Sequence, residues 1–222
     1  MSTNVSGISY QASSIWLCYL LLVTCYLFLG SGGEVFSQNK TFHSLSKYEK
    51  RWAMAHPFAV LKLKKHQAEM YAIYTEVKQQ RLLDTFENGG KLDAFRHTFA
   101  MAYFSKFVGI KKLRKLSIAH EKANHWQFLH HLPDEDSELP DSLSSVMDLN
   151  NNAIALGLAK EVKKLNAEEI KLKIIALIQV NGVYYIKRNA YGQYLDDKNQ
   201  IIPPERLKVW NTPKCLVLPE KS

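Results

Sequence analysis

The chain has 222 residues, of which 46% are hydrophobic, 11% aromatic and 23% charged. This length and composition fit one domain with a proper hydrophobic core, and they exclude disorder as the main state. Only three cysteines are present, which excludes a disulfide scaffold, and the composition also excludes collagen, a long coiled coil and a protein with many membrane spans. The formal net charge of +8 favours anionic partners.

The N-terminal segment is apolar and uncharged. Residues 1–33 contain no charged side chain, and residues 15–29 form an apolar stretch interrupted only by Thr24. Such a stretch is typical of a signal peptide, whereas a membrane-spanning helix needs about 20 residues. Three alternatives stay open: cleavage after Ser37, an uncleaved membrane anchor, and a lipoprotein acylated at Cys25. We predict export, with the protein in the periplasm, secreted, or anchored to the membrane by residues 1–37.

The charge of the remaining chain bears on its partners. Removal of residues 1–37 takes away Glu34 and no basic residue, so the rest is slightly more basic than the whole. In an exported protein this charge favours anionic lipid or a cell-wall polymer and disfavours nucleic acid, with a merely solvated basic surface as the alternative. Cys215 would be the only cysteine left, which excludes an intramolecular disulfide and a multi-cysteine zinc site.

The body of the chain has helical periodicity. Asp93 is expected at the start of the third helix as an N-cap or first-turn acid, and Asp141 or Ser142 at the start of the fifth. Residues 130–141, with two prolines and several acids, predict an acidic loop. The apolar spacing predicts five helices, over residues 47–56, 57–81, 93–108, 111–126 and 142–165.

After Asn166 the pattern changes. Residues 167–179 fit either a sixth helix or a buried strand, since periodicity alone does not decide. Residues 183–186 and 193–195 flank a turn and predict a β-hairpin, with further short strands expected at 208–210 and 215–218. The predicted fold class is mainly α, a bundle of about five helices with a small β-rich C-terminal appendage. The predicted domains are the export segment 1–37, a helical domain 38–166 and a tail 167–222.

Three of the predicted helices carry polar residues at helical spacing among apolar ones. If their polar faces meet, one site would combine imidazoles, carboxylates and amides. Inward-facing His and carboxylate side chains are typical of metal sites in helical bundles and of general acid/base pairs. The sets that share a face are Asp93 with His97, His120 with Asn124, and Asp148 with Asn151 and Asn152.

These residue types suggest catalytic roles. We predict His97 or His120 as the base, and Asp93 or Asp148 as the group that orients it or binds a metal. The residue types allow a divalent metal cofactor without identifying one. Predicted substrate-binding residues are Arg96, Glu121, Asn124, Asn151 and Asn152, the last two as oxyanion donors.

The same residues also have a structural interpretation. Asp93 could cap its helix and pair with Arg96, while Glu121 could face solvent beside Lys122. Asp148 and the neighbouring amides could hold the helices together as a hydrogen-bond network. Two hypotheses therefore stand. One is an exported hydrolase, metal-assisted or not, that acts on envelope or lipid substrates, and the other is a non-enzymatic binding or structural protein of the envelope.

Four segments of the chain resemble a family of bacterial, often exported, domains of unknown function. The resemblance covers roughly residues 50–165 and, more loosely, the tail with Trp210 and Cys215. It implies a helical fold and a candidate site without a reaction. The segments are Gly-Gly-Lys-Leu-Asp-Ala-Phe-Arg-His at 89–97, Ala-His-Glu-Lys at 119–122, Pro-Asp-Ser at 140–142 and Met-Asp-Leu-Asn-Asn-Asn at 147–152.

A weaker likeness is to the secreted prokaryotic phospholipases A2, small helical proteins with an Arg-His-Asp-Phe segment on a catalytic helix. Here Arg96 and His97 match, but Thr98 stands where the calcium-binding Asp should follow. The paired cysteines of those enzymes are also missing. We therefore use this likeness as an analogy for lipid hydrolysis only.

Overall fold

The computed structural model describes residues 45–130 and 139–219. The predicted export segment and most of the predicted acidic loop lie outside the described residues. From Ser46 onward the chain belongs to one compact unit. Within the described ranges the fold is mainly α with one small sheet, which confirms the predicted fold class. No helix in these ranges combines the length and the apolar character needed to cross a membrane.

Seven helices and two short strands follow one another along the described chain. The strands are β1 (Tyr185–Ile186) and β2 (Leu216–Val217), with a 3-10 helix at Pro204–Leu207 between them. The helices are α1 (Lys47–Ala55), α2 (Pro57–Gln79), α3 (Lys91–Phe104), α4 (Ile110–His130), α5 (Ser142–Gly157), α6 (Ala159–Val162) and α7 (Ala167–Gln179).

Capping side chains define several helix starts. At α1, the Ser46 hydroxyl accepts a hydrogen bond from the N–H of Glu49, whose carboxylate accepts one from the N–H of Ser46. Asp141 and Asn166 form the same reciprocal arrangement at α5 and α7. Pro57 takes the first position of α2, where its missing N–H costs no hydrogen bond. The sequence therefore located these starts to within a residue, with Asp141 as the cap of α5.

The helix boundaries differ from the prediction in two places. Helix α3 begins two residues before Asp93 because Asp84 caps it from outside, accepting hydrogen bonds from the N–H groups of Lys91 and Leu92. Asp93 is consequently a first-turn acid and not the N-cap. The predicted fifth helix ends at Gly157 and continues as the separate short helix α6, so the described chain has seven helices where about five were expected.

The tail contains the predicted turn but a different ladder. The carbonyl of Asn189 accepts a hydrogen bond from the N–H of Gly192, so the chain reverses where the sequence predicted. Strand β1, however, pairs antiparallel with β2, with Tyr185 opposite Val217. Residues 193–195 pair across the turn with residues 187–189, through an antiparallel bridge between Arg188 and Tyr194, so the predicted hairpin forms with 187–189 as its first arm and not 183–186. Spacing within a segment does not show which distant segment pairs with it.

Helix α3 is at the centre of the main hydrophobic core. It packs against α2, α5 and α7, and its Phe95 and Phe99 rings stack with centroids 5.2 Å apart. Ile174 and Ile178 of α7 are fully buried in the same cluster. Residues 167–179 therefore form a helix, which resolves the ambiguity left by periodicity. They share the core of the helices that precede them.

The C-terminal tail holds the start of α5. Lys214 forms a buried ion pair with Asp141, with 2.7 Å between Nζ and Oδ2. The Lys214 ammonium also lies 3.9 Å from the centroid of the Tyr194 ring. The N–H of Ser142 donates to the carbonyl of Trp210 at 2.8 Å. These contacts fix the N-terminus of the helix on which Asp148 lies.

Replacing Lys214 should destabilise the protein. Lys214→Met leaves the Asp141 carboxylate buried without its cation, and breaking a buried pair from one side costs about 3 kcal/mol or more. We expect that loss in the free energy of unfolding, measured by chemical denaturation followed by circular dichroism. The exposed Lys198 is the matched control, and Lys198→Met should change stability by less than about 0.5 kcal/mol. Equal stability of the two variants would contradict the role of this ion pair.

Candidate functional site

The site begins in the first turn of α3, where Asp93 is buried. Its Oδ2 accepts a hydrogen bond from the N–H of Gly89 at 2.7 Å, and its Oδ1 accepts one from Arg96 Nη2 at 2.6 Å. Gly89 has φ of +69°, in the left-handed region that glycine adopts without strain. The carboxylate of Asp93 is therefore fixed by one backbone donor from the turn before α3 and one charged donor from α3 itself.

His97 lies between two carboxylates that belong to different helices. Its Nε2 is 3.5 Å from Asp93 Oδ1 on the same helix and 3.3 Å from Asp148 Oδ2 on α5. One ligand atom from each of these three residues lies within 4.8 Å of the others. We call Asp93, His97 and Asp148 the trio. The structure thus brings together two of the three predicted polar faces.

Arg96 occupies the space beside the trio. Its Nη2, which bonds Asp93, is also 3.2 Å from His97 Nε2. The guanidinium therefore already places one positive charge between these two side chains. The predicted pairing of Arg96 with Asp93 at three-residue spacing is confirmed. About a third of the Arg96 side chain remains exposed, although its charged group is desolvated by burial and is stabilised by the carboxylates of Asp93 and Asp148.

The two carboxylates of the trio have opposite pKa shifts. Burial tends to raise the pKa of Asp93, but the hydrogen bond to His97 and the Arg96 charge outweigh it and hold that pKa below its ordinary value. Burial and the nearby carboxylates of Asp93 and Glu121 raise the pKa of Asp148 well above its usual range. Burial also lowers the pKa of His97 despite the proximity of Asp93.

Three buried oxygen atoms around the site accept no hydrogen bond from any described residue. They are Asp148 Oδ1, Glu121 Oε1 and Asn152 Oδ1. Nearly all buried polar atoms in native proteins have a partner, so an exception calls for a bound water or ion. These three oxygens are therefore candidate contacts for a bound group.

Glu121 faces Asp148 from the neighbouring helix α4. The Asn152 amide donates to the hydroxyl of Ser117 at 2.7 Å, which fixes the contact between α5 and α4. Glu121 is one turn after Ser117, Asp148 is one turn before Asn152, and the charge of Glu121 raises the pKa of Asp148. Both observations fit antiparallel helices with these two carboxylates opposite each other. Glu121 is buried and accepts a hydrogen bond from Asn124, so the alternative that it faces solvent is wrong.

The other two predicted site residues have partners outside the trio. The Nδ1 of His120 lies 3.1 Å from the carboxylate of Glu49 on α1. The amide of Asn151 bonds both the carbonyl and the N–H of Tyr184, at 2.8 and 2.9 Å. Asn151 therefore fastens the tail to α5. Glu49 was not predicted from the sequence as a site residue. The one pattern in the sequence that points to Glu49 is its capping arrangement with Ser46, which indicates a helix start and not a contact with His120.

The tail also supports Asp93. The N–H of Ile186 donates to the carbonyl of Gly89 at 2.6 Å, while the N–H of Gly89 bonds Asp93. One short segment, residues 184–186, thus contacts α5 through Asn151 and the turn before α3 through Gly89. This segment therefore contacts both of the helices that supply carboxylates to the trio, or the turn that leads into them.

Comparison with known proteins yields one match. A family model described as "Domain of unknown function (DUF6973)" matches residues 50–181, a range that contains the trio and most of the helical body. No curated protein matches the chain. No solved structure matches it either. The match agrees with the resemblance read from the sequence at the level of an uncharacterised domain.

Gly89→Ala tests the contact between residues 184–186 and the turn before α3. A Cβ at this residue would lie 2.7 Å from Ile186 Cδ1, and the positive φ is strained for alanine. We expect a loss of about 2 kcal/mol in the free energy of unfolding, measured by chemical denaturation. Gly157→Ala is the matched control, because a Cβ there meets no atom within 4 Å and alanine favours a helix by up to about 1 kcal/mol. A Gly89→Ala variant as stable as the control would contradict this interpretation.

Proposed function

We propose, for a chain that belongs to the DUF6973 family of domains of unknown function, that the trio binds a divalent metal ion and that this centre catalyses hydrolysis. The observation that carries the proposal is the convergence of Asp93, His97 and Asp148 from two helices, with ligand atoms within 4.8 Å of one another. Inward-facing imidazole and carboxylate groups on facing helices are how helical bundles build metal centres. This donor set suits ions such as Zn²⁺ or Mn²⁺.

The charge balance of the site supports a cation. Three carboxylates, those of Asp93, Asp148 and Glu121, are buried near one another. Arg96 supplies one positive charge, and burial disfavours the charged form of His97. Uncompensated buried charges are costly. A divalent ion would compensate the excess and would give the open oxygen of Asp148 a partner.

Arg96 and a metal ion would compete for the same oxygen of Asp93. The guanidinium bonds Asp93 Oδ1 and also approaches His97 Nε2, the imidazole nitrogen that faces both carboxylates. The side chain is partly exposed, so it can turn toward solvent when a cation takes its place. There it would present a planar set of donors to a phosphate or carboxylate group. We therefore propose a substrate with a negative charge close to the bond that is cleaved.

The chemistry would use the carboxylate opposite Asp148. Asp93, His97 and Asp148 would hold the metal ion, which when bound would supply acidification of a water molecule to a pKa of about 7. Glu121, through its Oε1, would accept the proton of the attacking water. As the ester bond to the leaving oxygen breaks, Glu121 would return that proton to the leaving oxygen. One water is consumed, and an acid and an alcohol are formed.

The substrate class follows from the sequence expectations. Export would place the site among envelope lipids and polymers, and the basic net charge favours the anionic ones. The analogy of Arg96-His97 with the phospholipases A2 points the same way. We propose ester bonds of anionic lipids as substrates. The competing hypothesis is a packing network, which is favoured by the hydrogen bonds of Asp93 to Gly89 and Arg96.

Metal analysis of the full chain, purified without chelator or polyhistidine tag, tests the centre. We expect one divalent ion per chain by plasma mass spectrometry. His97→Gln and Asp148→Asn should each lose it, because each removes a ligand. His120→Gln is the matched control and should keep the ion, because His120 pairs with Glu49 outside the trio.

A further variant separates the two hypotheses. Arg96→Gln should tighten metal binding, because the competing guanidinium is gone. In a packing network the same change only removes a partner of Asp93 and lowers stability. A metal-free wild-type protein whose His97 and Asp148 variants are merely less stable would refute the metal centre and favour the network.

The hydrolytic step is tested on phosphatidylglycerol vesicles with added Zn²⁺ or Mn²⁺, with products identified by mass spectrometry. We expect lipid cleavage that stops when a chelator is added. Asp148→Asn should lower the rate at least about 100-fold, since it removes a metal ligand. His120→Gln should stay within a few-fold of wild type. Metal-loaded protein that releases no product, or cleavage unaffected by Asp148→Asn, would contradict hydrolysis of this lipid by the trio.

A further inference from the structure

Exposed apolar side chains cluster where α1 passes into α2. Met54 and Phe58 are 65% and 77% exposed, and Leu61 is 44% exposed. Phe58, Leu61, Lys62 and Lys65 are at positions i, i+3, i+4 and i+7 of α2, so they share one face of the helix. Both lysines are exposed. We call these five residues the α1–α2 face.

The opposite side of the same turn is firmly packed. Trp52 and Ala59 are buried, and the indole N–H of Trp52 donates to the carbonyl of Lys112 on α4 at 2.9 Å. The ring of His56 packs edge-on against Trp52. The apolar exposure of the α1–α2 face is therefore a property of an anchored helix turn and not of a loose end.

We infer that the α1–α2 face binds an anionic lipid surface. Phe58, Leu61 and Met54 would enter the headgroup region, and Lys62 and Lys65 would contact lipid phosphates. An apolar cluster bordered by lysines on one helix face is the pattern of surface-lying helices. This inference does not rest on the proposed hydrolysis, because no residue of the face belongs to the trio.

The order of segments along the chain and the charge of the α1–α2 face favour an anionic lipid surface as its partner. In the sequence, Met54 follows the apolar stretch at residues 15–29 by 25 residues. A second membrane contact near such a segment adds to its affinity, since stable attachment generally needs two signals. The next acid along this side of α2 is Glu69, which is engaged by the hydroxyl of Tyr103. The lysines therefore set the charge of the face.

A fluorescent probe on the full chain tests the contact locally, independently of binding through the N-terminal segment. In a variant with Cys18, Cys25 and Cys215 changed to Ser, Phe58→Cys is labelled with an environment-sensitive fluorophore. We expect a blue shift with phosphatidylglycerol vesicles and little shift with phosphatidylcholine vesicles. Leu172→Cys on α7 is the matched control, because Leu172 is also exposed, and its label should show no shift with either lipid.

The control site is far from the face. The neighbour of Leu172, Lys171, contacts Glu76 near the other end of α2. Glu76 is 18 residues from Phe58, which is roughly 27 Å along a helix. A shift at both labelled sites would therefore mean non-specific adsorption of the protein and would overturn the inference.

The lysines are tested separately. Lys62→Gln combined with Lys65→Gln should weaken the binding of the labelled face to anionic vesicles roughly 25-fold, because the variant loses the contributions of two basic residues near such a surface. The exposed pair Lys163→Gln and Lys164→Gln carries the same charge change and should leave the shift intact.

Other outcomes would overturn the inference. Equal shifts with the two lipids would remove the requirement for negative charge. A label at residue 58 that is already shifted in buffer would mean that protein covers the face. That cover is a second copy if the shift disappears on dilution, and a segment of the same chain if it persists. A shift produced by a soluble polyanion without vesicles would replace lipid by an anionic polymer.

Discussion

Three carboxylates buried within reach of one another are the constraint on which this structure depends. Left alone, Asp93, Asp148 and Glu121 would repel one another in surroundings that stabilise charge poorly. The fold lowers this cost with the N–H of Gly89 and the guanidinium of Arg96, which together stabilise the ionised form of Asp93. It offers less to Asp148, whose pKa is raised by burial and by the carboxylates of Asp93 and Glu121, and whose Oδ1 accepts no hydrogen bond from any described residue.

The tail adds to the direct packing of α3 on α5. Residues 184–186 bond Asn151 on α5 and Gly89 before α3, so a segment nearly a hundred residues after Gly89 links the two helices that supply the carboxylates of the trio. The pair of Lys214 with Asp141 fixes the start of α5 in addition. The β-rich tail therefore acts as part of the site although it supplies no residue of the trio.

The sequence predicted what depends on neighbours along the chain. The four-residue spacing placed Asp93 and His97 on one face, and the capping pattern located the start of α5 at Asp141 or Ser142, of which the structure has Asp141 as the cap. Contacts between distant segments escaped it, such as the pairing of β1 with β2 and the approach of Glu49 to His120. Periodicity shows which side of a helix is polar, but not which other polar side it meets. The roles expected from the sequence, His120 as an alternative base to His97 and Asn124 as a substrate-binding residue, stay predictions.

Helix α1 connects the proposed site with the proposed lipid surface. Its Glu49 contacts His120, the neighbour of Glu121 on α4, and its Trp52 bonds the carbonyl of Lys112 on the same helix. Met54, a few residues later, belongs to the α1–α2 face. These contacts make α1 and α4 a packed pair, with Met54 on α1 and Glu121 on α4. A protein bound to the bilayer through the α1–α2 face would hold Glu121 at a defined distance from it. Attachment through a flexible linker alone would not fix that distance. An enzyme that cleaves lipid esters needs that fixed geometry, because its substrate does not diffuse freely to the site.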